Sequence, residues 1–317
     1  MSTAIAHPNI ALSKYWGKRP TGTNVPAVPS LSVTLAGLST KTTVTFDGAL
    51  SDDVLELDGK PADANALRRA TELLDRVRSA ANITTRARVV SANDFPTASG
   101  LASSASGFAA LALAATSAAG LDWSAEEVAD LARKSSASAA RSVFGGFVEL
   151  AGEMARPIAP PDALDMRILV CVTTEAQKAV SSSDGMKKTA SESPFYGAWL
   201  EAAPKMHAAL VDALRARDVS TVFRIAEKSA LSMHASALAA GVVYVSGVTL
   251  AALAEVRAIR RSGTTAYATI DAGPHLKCLV ERKDAAAVKE RLAKVPGVLR
   301  IIEAAPGEGA RLVKEGR

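Results

Sequence analysis

The sequence predicts an α+β protein in two lobes. Strand-like and helix-like runs are mixed without a steady β-α alternation, and neighbouring strands read as antiparallel. A proline-rich stretch, Ala155-Arg-Pro-Ile-Ala-Pro-Pro161, breaks the pattern near the middle and reads as a boundary between lobes over residues 1–160 and 161–317. A Gly/Ser loop opens an Ala-rich run without proline, Leu101 to Ala115, which reads as one long buried helix. The 317 residues suffice for real cores, with 48% hydrophobic and 22% charged.

Ile5 to Leu12 is apolar and reads as a strand running into the polar loop Lys14-Tyr-Trp-Gly-Lys-Arg-Pro20. Ser30 to Leu35 and Thr42 to Phe46 alternate with period two, as a pair of half-buried strands would. Leu55-Glu-Leu-Asp-Gly-Lys60 carries the Asp-Gly turn of a hairpin. Residues 63–81 place Leu67, Ala70, Leu73, Leu74 and Val77 at helical spacing, and Ile83 to Val90 follows as a strand. Ser124 and Glu127 form a capping-box pattern for a helix ending near Lys134. A strand is expected from Phe144 to Leu150 and a fully buried one from Met166 to Val172. Ser181 to Gly185 reads as a flexible loop. Helices are expected over 194–216, 218–238, 245–261 and 284–294, with strands at 265–270, 276–281 and 298–302.

Composition narrows the function classes. The net charge of +5 suits an anionic partner, but the basic residues are scattered and aromatics make up only 4%, so no nucleic-acid module is expected. The longest apolar runs stop short of membrane-spanning length, and the N-terminus lacks the pattern of a signal peptide. Cys171 and Cys278 lie in apolar strand-like runs and read as buried free thiols. Together these features point to the cytoplasm. No His/Cys cluster has metal-ligand spacing, so no zinc or iron site is expected.

Four further stretches, and the Gly/Ser loop itself, could carry chemistry. In Asp94-Phe-Pro-Thr-Ala-Ser-Gly-Leu-Ala-Ser-Ser-Ala-Ser-Gly-Phe108, Gly100 permits backbone angles that a Cβ would forbid. Ser103 and Ser104 fall in the first helical turn, where free N–H groups attract phosphate. The pattern is not the Gly-Lys-Ser/Thr P-loop, and a plain serine-rich helix cap is the alternative. Asn9-Ile-Ala-Leu-Ser-Lys-Tyr-Trp-Gly-Lys-Arg19 is either a solvated basic loop with aromatic anchors or a cationic floor for phosphate or carboxylate. In Ser135-Ser-Ala-Ser-Ala-Ala-Arg141, the arginine either clamps an oxyanion or pairs with a surface carboxylate. Asp271, in Tyr267-Ala-Thr-Ile-Asp-Ala-Gly-Pro274, is either a catalytic carboxylate or a cap. Val180-Ser-Ser-Ser-Asp-Gly-Met186 is the least specific of the set, and His234 reads as structural.

Pro96-x-x-x-Gly-Leu-x-Ser-Ser-Ala105 resembles the phosphate loop of the GHMP kinase superfamily. The fuller Asn93 to Ala105 string and the Asn9 to Arg19 segment are most similar to the diphosphomevalonate decarboxylase family. Phe144-Gly-Gly-Phe-Val148 and Asp271-Ala-Gly-Pro274 match it as well. Ser135, Ala137 and Ala140 stand where that family has Gly, Gly and Cys, and His275 stands where it has Asn. A positive φ at Ala137 would be strained.

The resemblance implies an N-terminal lobe like ribosomal protein S5 and a ferredoxin-like C-terminal lobe. It implies ATP-dependent decarboxylation of mevalonate 5-diphosphate to isopentenyl diphosphate in the mevalonate pathway, with Mg2+ and through phosphorylation of the tertiary hydroxyl. By resemblance, Asp271, Lys14 and Arg141 are catalytic. Tyr15, Lys18, Ser136, Ser138 and Asn9 bind substrate, while Gly100, Leu101, Ala102, Ser103, Ser104 and Ser182 hold the nucleotide. Relatives make a homodimer the expected state. Mevalonate 5-phosphate as substrate, or a 3-kinase that stops before decarboxylation, stay open, as does Asp271 as base or as orienting group. A nucleotide-sensing binding protein would be marked by loss of Lys14 or Asp271, and both are present.

Overall fold

The computed structural model describes residues 1–95, 103–176 and 179–313. The first half of the chain forms β1 (Ser2–Ala6), β2 (Asn9–Ser13), β3 (Ser30–Ala36), β4 (Thr40–Phe46), β5 (Val54–Leu57), β6 (Lys60–Pro61) and α1 (Ala64–Ala81). It continues through β7 (Ala87–Asn93), α2 (Ser103–Ala118), α3 (Ala125–Ser135), a short α4 (Ala139–Val143), β8 (Phe147–Ala151) and β9 (Met154–Ala159). The second half forms β10 (Met166–Val172), α5 (Ser182–Glu192), α6 (Tyr196–Arg215), α7 (Val219–Ala239) and α8 (Gly247–Arg261). It ends with β11 (Ala266–Ile270), β12 (Leu276–Glu281), α9 (Ala285–Ala293), β13 (Arg300–Pro306) and β14 (Arg311–Leu312).

Two sheets organise these elements, as an α+β chain requires. One has the order β14-β1-β4-β7-β5-β6, and the other β11-β12-β10-β13-β3-β8-β9 with β2 also paired to β3. Pairing is antiparallel except between β5 and β7. The apolar run expected as one strand over 5–12 is two, because Pro8 cannot donate to a ladder and the chain changes sheets there. β3 and β4 are likewise not partners, and β3 is buried on both faces rather than one.

Local chemistry accounts for the element ends. Asp58 and Gly59, at φ of 50° and 77°, make the two-residue turn between β5 and β6. The Asp63 carboxylate accepts from Ala66 N at 2.8 Å to cap α1. Asn82 closes that helix in the left-handed conformation, so the next strand starts at Ala87 rather than Ile83. Ser124 and Glu127 complete their capping box. α2, apolar on every face, packs against β1 and β4 and against α1, α3 and α4.

Three expectations shift. The strand after α4 begins at Phe147, because Gly146 turns with φ of 69° where a Cβ would meet Ala159 O at 2.4 Å. The proline-rich stretch is largely strand β9, tolerated because β9 lies at a sheet edge, where Pro157 need not donate. Ser181 to Gly185 is the first turn of α5, capped by the Ser181 hydroxyl on Asp184 N at 3.1 Å.

We propose two lobes meeting near residue 160, and the end of the chain ties them together. β13 pairs with both β10 and β3, and β14 pairs with β1. Gly307 N donates to Thr34 O, and Gly146 N to Gly307 O, both at 2.8 Å. α6 is tied in by a buried chain: His207 lies 2.9 Å from Ser13 Oγ and 2.7 Å from Glu149 Oε1. Among the described residues, no helix is long and apolar enough to cross a membrane.

Candidate active site

The chain leaves β2 at Lys14, where its backbone N donates to Ser229 Oγ on α7 at 3.0 Å. The Lys14 side chain stays inside: Nζ donates to Ala11 O at 2.7 Å and to Asp271 Oδ1 at 2.6 Å. Asp271 follows β11 directly, and its other oxygen lies 3.1 Å from Lys277 Nζ, an ion pair from β12. Both lysines are buried, whereas the Asp271 side chain keeps 27% of its surface, enough for a ligand to reach it.

Burial alone would raise the Asp271 carboxyl. The Lys14 and Lys277 ammoniums outweigh it and hold the group well below the usual carboxylate range. Burial lowers Lys14 to about 8 in spite of Asp271, and Lys277 and Arg141 push the same way.

α4 carries Arg141 inward. Its Nη1 donates to Ser30 Oγ at 2.7 Å and its Nη2 to Asn9 Oδ1 at 3.4 Å. Asn9 is fixed in turn, donating to Ser138 O at 3.0 Å and Ser142 Oγ at 2.7 Å. Burial brings Arg141 down to about 10, against the opposing pull of the nearby Tyr15 and Asp271 side chains. Among the described residues, Arg141 Nε, the Tyr15 hydroxyl and Ser135 Oγ are buried atoms with no hydrogen-bond partner. Orphaned buried donors are costly, and a bound oxyanion would satisfy them. Ser136 and Ser138 hydroxyls lie 3.2 Å apart on the same loop. Ser135 and Ala137 are absent from the positive-φ positions, so losing the family's glycines there introduces no backbone strain.

Lys18 stands at the rim, half-buried. Its Nζ donates to Asn24 Oδ1 at 2.8 Å and to Ser183 Oγ at 3.1 Å. Asn24, at φ of 55°, donates to Lys134 O at 2.9 Å and so links the lysine to the 135–141 loop. Burial lowers the Lys18 ammonium, and the nearby charges of Lys187 and Arg69 lower it further. Arg69 itself donates to Ser135 O at 2.8 Å and stacks over Phe108. A cationic rim thus surrounds the serine loop.

Ser103 and Ser104 do begin α2, as the sequence predicted, while Gly100, Leu101 and Ala102 lie outside the described residues. Ser182 is the first residue of α5, next to the Ser183 that meets Lys18. His234, on α7, lies with Nε2 3.3 Å from Ile270 O, and burial lowers it to about 4, so it is neutral. His275 is buried, with Nδ1 3.2 Å from Thr173 N, and supports the turn after Asp271.

The structure therefore brings Lys14, Asp271, Arg141, Asn9 and Tyr15 into one buried cluster, with Lys18 and the serine loop at its rim. Lys277, Ser30, Asn24, Arg69 and Ser183 were not expected there. Lys277 left a signal: it is the one charge within the apolar run Leu276 to Val280. Asn24, in a turn-forming stretch, and Arg69, on a helix rich in arginine, left none.

The diphosphomevalonate decarboxylase-like N-terminal domain family matches residues 6–156, and the mevalonate 5-diphosphate decarboxylase C-terminal domain family matches 168–305. A diphosphomevalonate decarboxylase of Aspergillus fumigatus is 35% identical, over 93% of this chain and 80% of its own. A phosphomevalonate decarboxylase of Haloferax volcanii is 34% identical, over 86% of each chain. The solved complex of MDDEF with MVAPP, AMPPCP and magnesium superposes with a TM-score of 0.91 at 39% identity, covering 99% of both chains.

Proposed function

The chain belongs to the diphosphomevalonate decarboxylase family, and we propose that Lys14, Arg141 and Asp271 carry its reaction on mevalonate 5-diphosphate. The reaction is ATP-dependent decarboxylation. A tertiary hydroxyl is a poor leaving group, and receiving the γ-phosphoryl of ATP makes it a good one. Departure of that phosphate together with CO2 leaves an alkene, isopentenyl diphosphate.

The observation that supports these roles is the buried excess of positive charge around one reachable carboxylate. Lys14, Lys277 and Arg141 face a single Asp271. Buried charge is costly unless paired, so such a set suits an anionic substrate that completes it. Asp271 orients or accepts from the hydroxyl. Arg141, steadied by Asn9 and Ser30, and Lys14 hold the substrate carboxylate and the transferred phosphate. Tyr15, Lys18, Ser136 and Ser138 take the phosphate tail.

The start of α2, with Ser103 and Ser104, and Ser182 at the start of α5 face the nucleotide phosphates. No group of three or more His, Cys, Asp or Glu side chains fit for a metal occurs among the described residues, so Mg2+ fits as a companion of the nucleotide. Ser103 and Ser104 would offer hydroxyl oxygens, and the ion would neutralise charge on the phosphates. We further propose a cytoplasmic homodimer, since buried free cysteines suit a reducing compartment and two-fold dimers are the commonest assembly.

A coupled assay of ADP and CO2 with ATP, Mg2+ and, separately, mevalonate, its 5-phosphate and its 5-diphosphate tests the reading. CO2 in step with ADP on the diphosphate is the expected result. CO2 on the monophosphate alone would move the activity to that substrate and implicate the Lys18 rim. ADP without CO2 would overturn the roles given to Lys14 and Asp271.

A further inference from the structure

Lys277 is the one member of the cluster whose purpose the roles above leave open. β12 alternates: Leu276, Cys278 and Val280 face one apolar core, while Leu279 faces the other. Lys277 lies on the Leu279 side, opposite Thr269 of β11 and Val170 of β10. Its side chain is 1% exposed and, among the described residues, Nζ finds no aligned hydrogen-bond acceptor. An ammonium buried between Thr269 and Val170 is costly unless it is well paired. The fold alone gives no return for that cost, because Asp271 already has Lys14 as partner.

We propose that Lys277 is a positioning residue of the decarboxylase, holding the Asp271 carboxylate through Oδ2 while Lys14 holds Oδ1, so that the carboxylate presents a fixed anionic edge to the substrate hydroxyl. This rests on the activity assigned above. With one cation on each oxygen the carboxylate cannot rotate without breaking an ion pair. Each oxygen still has a lone pair for the incoming hydroxyl. Among the described residues, the groups that bear on Asp271 support the same state: the cations Lys14 after β2, Lys277 on β12 and Arg141 on α4 favour the carboxylate, while His234 on α7, and His275 beside Lys277, are neutral. A carboxylate so surrounded is a weak base, so its part is to orient the hydroxyl rather than keep its proton.

The test compares wild type, Lys277→Met and Lys277→Arg in the CO2 and ADP assay across pH. Wild-type activity on the diphosphate is the control, and its absence would sink the activity itself rather than this proposal. Lys277→Met is expected to lower kcat roughly 100-fold while KM for both substrates barely moves, because misplacing a reacting group by about an ångström has that effect. The alkaline limb of its kcat/KM profile, set by Lys14 near 8, should move to higher pH, since Lys14 loses a neighbouring cation. Lys277→Arg should restore part of kcat and leave that limb in place. A folded Lys277→Met enzyme with wild-type kcat, or with a loss that falls on KM rather than kcat, overturns the proposal. Should the methionine variant not fold, Lys277→Gln is read by the same two criteria. If that too fails to fold, the wild-type Asp271 carboxyl is followed by 13C NMR, and titration in the ordinary carboxylate range overturns the proposal.

Discussion

Lys14 Nζ lies 2.6 Å from Asp271 Oδ1, although 257 positions separate the two residues. The pair joins the loop after β2 to the end of β11. Without Asp271 the buried Lys14 ammonium would have no carboxylate partner among the described residues, whereas Asp271 would keep Lys277.

The first prediction concerns that pair. Lys14 sits near 8, so it is charged below that pH and neutral above it. kcat/KM, which reports the free enzyme, should therefore fall as pH rises through about 8. Lys14→Met should lower kcat by roughly 10²- to 10³-fold, the range for removing one charge-stabilising donor. A flat alkaline limb in wild type would show that the Lys14 proton is not required.

Asn9 offers a sharper probe of Arg141 than replacing the arginine. Asn9→Ala removes the contact to Nη2 and the bonds to Ser138 O and Ser142 Oγ, yet leaves every formal charge in place. We expect kcat to drop by about 100-fold through loss of aim, and stability to fall by about 1–3 kcal/mol in chemical denaturation, since buried partners are left unpaired. Arg141→Lys should be worse still, because an ammonium cannot reproduce the planar fork.

Lys18 should govern binding rather than turnover. Lys18→Met is expected to raise KM for mevalonate 5-diphosphate by roughly 10-fold or more, the worth of one hydrogen bond to a charged group, at nearly constant kcat. Initial rates over a range of substrate concentration check this. A fall in kcat at constant KM would place Lys18 with the reacting atoms instead.

Acid stability follows from the buried histidines. His234 and His275 are lowered from 6.5 to about 4 by burial, so the unfolded chain binds protons that the folded one refuses. The folded state should thus lose stability as pH falls from about 6.5 to about 4, by up to about 3 kcal/mol for His234. Urea denaturation at pH 7 and pH 5 measures it. His234→Gln should flatten the dependence even if it costs stability at pH 7.

Much of this was legible in the sequence because its signals are local. The capping box at Ser124, the Asp58-Gly59 turn and the apolar spacing of α1 each depend on residues within one or two turns. Lys14, Arg141 and Asp271 could be named from short strings, but their meeting could not. What the sequence hid was set by long-range pairing. Ser30 lies 111 positions from Arg141, and Asn24 is 110 from Lys134. β9 was concealed by its prolines, which only an edge position makes harmless. The switch of sheets at Pro8 depends on which partners β1 and β2 later find.

Those late partners bear on how the chain is made. β1 pairs on one side with β4, made soon after it, but its other neighbour, β14, is made about 300 residues later. The Gly145-Gly146 bend likewise waits for Gly307, whose O accepts from Gly146 N, and for Gly309, which packs on Gly145 because neither carries a Cβ. At bacterial or eukaryotic elongation rates the interval between β1 and β14 is about 15 to 60 s. Throughout it the nascent chain presents an open strand edge, the kind of surface that recruits chaperones or neighbouring nascent chains.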